Sequence, residues 1–85
     1  MNELEKLKDY LDAEYVSTAR FLTHPIPSWC KDPEEHREKA IVRGLGAVMY
    51  AQYLGVSYEE VNEVFEIYKS ALEDIIVTEE REVRI

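Results

Sequence analysis

The chain predicts an all-α, compact three-helix domain, on three observations. Apolar residues recur at steps of three and four over three long segments. Each segment opens on a helix-capping set: Asn2 with Glu5, Asp32 with Pro33, Ser57 with Glu60. The breakers Pro25, Pro27 and Gly55 fall between the segments. At 85 residues the expected organisation is a single domain, 1–85. The helices are expected at about 2–23, 33–54 and 58–77, followed by a short extended tail.

In the first helix Asn2 caps and Glu5 completes the capping box. Leu4, Leu7, Leu11, Tyr15, Thr18 and Leu22 then share one face. Pro25 ends it by disfavouring a helical His24. The connection 23–32 holds two prolines, which make it extended and stiff. Ile26 and Trp29 are expected to cap the end of the core.

The second helix starts on Asp32 and Pro33, with Glu34 and Glu35 where the dipole favours anions. Gly55 is its left-handed stop. From Glu34 to Lys39 it is polar. From Ala40 to Leu54 only Arg43 and Gln52 are polar, and apolar residues surround the cylinder. Such a helix seeks burial on every face. Two neighbours cover about two thirds of it, so the remainder is expected to meet a second chain. Ala40, Gly44, Ala47 and Ala51 form a small-residue stripe that admits close helix approach, and they are the candidates for self-association. Gly44 and Gly46 each cost roughly 1 kcal/mol in a helix interior. That cost points to close packing; a slight kink is the bland alternative.

The third helix is capped by Ser57 with Glu60. Val61, Val64, Phe65, Tyr68, Leu72, Ile75 and Ile76 fit the 3.6-residue template. In the tail, Val83 and Ile85 share one side if it is extended.

The segment 47–66 resembles a helix-turn-helix. That family's 20-residue pattern takes a small residue at its fifth place, glycine at its ninth, and branched apolar residues at its fifteenth and eighteenth. Here those places hold Ala51, Gly55, Val61 and Val64. The resemblance covers packing positions only, over 20 of 85 residues. It implies DNA contact through the second helix of the pair. The exposed places there hold Tyr58, Glu59, Asn62, Glu63 and Glu66, and no lysine or arginine occurs from Gly44 to Tyr68. DNA affinity draws on cations that neutralise phosphate, so nucleic acid is an unfavoured partner. The same five residues are the candidates for facing a protein.

The candidates for chemistry are sparse. His24, Cys30 and His36 lie within thirteen residues and include both histidines and the only cysteine. They are the possible zinc ligands, with Asp32 or Glu35 as a fourth, but the spacing matches no tight zinc pattern. As a thiol–imidazole pair they lack an evident oxyanion hole or orienting group. Glu14 and Arg43 are isolated charges near apolar segments and form a hypothetical interior pair. There is no glycine-rich phosphate loop, no nucleophile elbow and no Glu-x-x-His pair for a carboxylate-bridged metal site. No cofactor is expected.

Eighteen acids against ten bases give a net charge of −8. Residues 1–43 carry nine acids and seven bases, and residues 44–85 nine acids and three bases. An acidic surface of this kind suits either plain solvation or a basic protein partner. One cysteine excludes an internal disulfide. The opening residues Met1 to Glu5 carry no secretory pattern, and Ala40 to Val56 is too short to span a bilayer easily. A cytoplasmic chain is expected. The functional expectation is a small acidic, non-enzymatic interaction or regulatory module that forms a homodimer through its second helix. The alternatives are a helix-turn-helix nucleic-acid-binding protein and a small metal- or thiol-containing helical protein.

Overall fold

A computed structural model describes residues 2–83 and holds three helices: α1 (Glu3–Thr23), α2 (Pro33–Tyr53) and α3 (Tyr58–Glu73). The predicted caps form. Asn2 Oδ1 accepts from Glu5 N–H at 2.8 Å, and Asp32 Oδ1 from Glu34 N–H at 3.1 Å. Ser57 Oγ accepts from Glu60 N–H at 3.3 Å and donates to Glu60 Oε1 at 2.8 Å, closing the capping box.

Every pair of helices packs together. Leu7 and Leu11 of α1, Ala40, Val48 and Ala51 of α2, and Val61, Tyr68 and Leu72 of α3 form the shared core. Tyr15, Val64 and Phe65 pack against it. The periodicity of α1 and α3 therefore translates directly into burial.

The end of α3 departs from the sequence expectation of about 77. The helix stops at Glu73, and Ile76 is 86% exposed. The cause is Arg37 of α2. Its guanidinium donates to the carbonyls of Leu72, Glu73 (2.9 Å) and Ile75 (2.8 Å). Those carbonyls are then satisfied without another helical turn, and α3 has no basic residue of its own in its last turn. Arg37 Nε lies 2.9 Å from Glu34 Oε2, an ion pair rather than an aligned hydrogen bond.

Beyond α3 the chain runs extended alongside the α1–α2 connection. Thr78 N–H donates to Leu22 O at 2.8 Å, Ile26 N–H to Glu80 O at 2.9 Å and Glu82 N–H to Ile26 O at 2.8 Å. Ile26 and Arg81 form a parallel bridge, and Arg81 Nη1 donates to Cys30 O at 2.6 Å. This clasp closes over the α1–α2 connection, where Leu22, Ile26 and Cys30 are buried. Ile26 thus caps the bundle as expected. Trp29 does not: it is 63% exposed, its ring tilted 6.0 Å from that of Phe21. Val83 faces solvent, and Ile85 lies outside the described residues.

Candidate functional site

The turn between α2 and α3 is a Schellman motif. Gly55 takes φ +106, Gly55 N–H donates to Gln52 O at 3.0 Å and Val56 N–H to Ala51 O at 3.1 Å. Ala51 and Val61 are buried across this turn and Val64 is half-buried. The packing positions of the helix-turn-helix pattern therefore do packing work. Tyr58, Glu59, Asn62, Glu63 and Glu66 are all exposed on α3.

The small-residue stripe of α2 meets a partner inside the chain. Ala40, Gly44 and Ala51 are buried and Ala47 is half-buried. A Cβ on Gly44 would overlap Tyr68 Cε1 and lie 3.0 Å from Cδ1 and 3.2 Å from Cζ. The Tyr68 ring thus packs against bare backbone at Gly44, and its hydroxyl donates to Ala40 O at 2.7 Å. At Gly44 and Ala40, Tyr68 of α3 already occupies the approach they permit, while Ala47 and Ala51 line a groove shared with Leu7 and Tyr10 of α1. Gly46 behaves differently: nothing lies within 4 Å of a Cβ built on it.

The surroundings of Tyr68 also shift its titration. Burial, reinforced by the negative charge of Glu14 and opposed by Arg43, pushes its phenol from 10.0 up to about 12. The unfolded chain releases this proton near 10 and the folded chain near 12. The stability tied to Tyr68 is therefore complete below pH 10 and is lost as pH rises from about 10 to 12. Tyr68→Phe is expected to cost about 1 kcal/mol at neutral pH and to flatten this alkaline decline, as read by urea melts at successive pH values.

The outer face of α2 is apolar and bare. Val42, Leu45, Met49, Tyr50 and Tyr53 are exposed, Tyr53 to 84%. Val42, Gly46, Met49 and Tyr53 follow one another at steps of four, three and four, so they line one stripe along the helix. Gly46 sits near its middle and is exposed. From Val42 to Tyr53 the stripe and its flanking Leu45 and Tyr50 carry no charge.

Glu14 and Arg43 do pair, at the boundary of the core instead of its interior. Arg43 Nη2 and Nε lie 2.9 and 3.0 Å from Glu14 Oε2, with the arginine side chain 45% exposed. At that exposure the pair contributes at most about 1 kcal/mol and ties α1 to α2.

His24, Cys30 and His36 are put to separate uses. His24 is exposed, with Nδ1 2.8 Å from Arg20 O. Cys30 is buried by the tail clasp. His36 stacks on Phe21 with ring centroids 3.8 Å apart. Among the described residues no three His, Cys, Asp or Glu side chains are grouped to hold a metal ion. No helix among them is long and apolar enough to cross a membrane.

A groove between α1 and α3 opens on the side of the bundle away from α2. It encloses about 450 Å³ and is lined by Lys8, Leu11, Asp12, Tyr15, Val64, Ile67, Tyr68 and Ala71. The sequence did not single it out, because its walls belong to the first and last helices, with all of α2 between them in the chain. No family model, no curated protein and no solved structure matches this chain.

Proposed function

We propose that this chain is a small acidic interaction module, without catalysis of its own, that self-associates through the outer stripe of α2 and offers its acidic α3 to a basic protein partner. One observation carries the reading: Val42, Leu45, Met49, Tyr50 and Tyr53 stay exposed on one uncharged helix face. These side chains leave on the order of 600 Å² of apolar surface per chain, the top of the range for the largest patch on a monomer. Two copies joined on it remove roughly 1,200 Å², above the ~1,000 Å² that a specific interface needs. Gly46 adds support. A glycine in an exposed helix interior costs about 1 kcal/mol, and nothing inside the chain requires it. At the centre of a helix crossing it lets two backbones approach.

Each chain carries −8, so two copies repel over most of their surface and least over this uncharged stripe. Sedimentation equilibrium tests the reading. The expected result is a particle of twice the 10.0 kDa chain mass at micromolar concentration. Met49→Glu is expected to return it to one chain mass with its helix content intact. A strictly monomeric wild-type chain up to millimolar concentration contradicts the proposal.

A further inference from the structure

We infer that the α1–α3 groove is a docking site for a basic amphipathic helix of another protein. The inference rests on the reading of this chain as an interaction module and names where, and to what chemistry, that module binds.

The floor and walls are apolar. Leu11 and Tyr15 come from α1, Val64, Tyr68 and Ala71 from α3, and Ile67 stands at the rim, 66% exposed. Nothing polar at the floor invites a small polar ligand, since the Tyr68 hydroxyl is already committed to Ala40 O. The groove follows the helices from Lys8 to Tyr15 and from Val64 to Ala71. Seven steps of ~1.5 Å make it about 10 Å long, or two helical turns. That length takes the i, i+3 or i+4, and i+7 side chains of a docked helix.

The charge around the groove selects the partner's sign. On α1, Glu5, Asp9 and Asp12 lie along the edge that also carries Lys8. On α3, Glu60, Glu63 and Asp74 lie along the edge that carries Ile67. None of these six carboxylates takes part in an ion pair among the described residues. Lys8 is the one cation that lines the groove. An apolar trough between two acidic rims complements a helix with leucines on one face and lysines on its shoulders. Because α2 lies on the other side of the bundle, groove and stripe can be occupied at once.

The test is fluorescence anisotropy with a labelled 18-residue helical peptide of leucine, alanine and lysine, patterned with leucine at every third and fourth position. Saturable binding is expected, weakening steeply with salt. Ile67→Lys, on an exposed side chain, is expected to weaken it by about tenfold or more, roughly the loss of one apolar anchor plus a repulsive charge. Met49→Glu, on α2, is expected to leave it unchanged, so failure of self-association and failure of this site read out separately. No binding overturns the inference. So does binding that Ile67→Lys leaves intact, and so does equal binding of a peptide of the same composition with its leucines scrambled off one face.

Discussion

Alanine at Gly44 is expected to destabilise the folded chain, and alanine at Gly46, two residues on, to stabilise the single chain while weakening its self-association. Both substitutions gain about 1 kcal/mol of helix propensity. At Gly46 nothing within the chain opposes that gain, because the new Cβ enters open space; what it obstructs is the proposed approach of a second copy. At Gly44 the new methyl overlaps the Tyr68 ring. The ring cannot simply swing aside: it is only 5% exposed and its hydroxyl is held by Ala40 O. Overpacking of this kind costs typically 1–3 kcal/mol, occasionally more, so Gly44→Ala is expected to lose about 1–2 kcal/mol net. Gly44→Leu must expel the ring altogether and is expected to lose about 4 kcal/mol or more, which is a large part of the stability of a chain this small. Thermal melts of the three variants check the sign at each site. A Gly44→Ala protein more stable than wild type contradicts the packing described here.

Arg37→Met carries the second large effect. Methionine keeps much of the apolar stem and removes the guanidinium. The carbonyls of Leu72, Glu73 and Ile75 then lose a charged donor, and hydrogen bonds of that kind contribute about 1.5–3 kcal/mol. A loss of about 2–3 kcal/mol is expected, or a melting temperature lower by roughly 10–20 °C. Arg37→Lys is expected to recover little, since one ammonium cannot span three carbonyls. Hydrogen exchange gives a sharper readout. Amides of the tail, such as that of Thr78 on Leu22 O, are expected to lose protection before those at the centre of α3.

The contrast between α3 and Arg37 shows what was legible in the sequence. Helix starts are local events: a capping side chain and the amide it serves sit two or three residues apart, so Asn2, Asp32 and Ser57 announce them. The end of α3 is not local. It depends on a side chain 35 residues earlier, within a run from Glu34 to Lys39 that reads as a solvated polar face. The tail clasp escapes for the same reason, since it joins residues 22–26 to residues 78–82 through backbone groups that every residue carries. The small-residue stripe was visible, yet its use was not. Spacing shows that a close approach is permitted at Gly44 but not by which neighbour, and Tyr68 of the same chain takes it. The surplus apolar face of α2 was legible from composition alone, because no two neighbours can cover a cylinder that is apolar all round.

That face is the centre of the account, and a cysteine placed on it tests it most directly. In a Cys30→Ala background, Gly46→Cys stands near the middle of the stripe, where a two-fold pairing brings the residue close to its own copy. Under mild oxidation at low micromolar concentration, the account predicts a disulfide-linked dimer in high yield. The same cysteine placed at the exposed Glu66 of α3 is expected to form no disulfide between copies. Equal cross-linking at the two positions, or none at Gly46 in a protein with wild-type helix content, would contradict it.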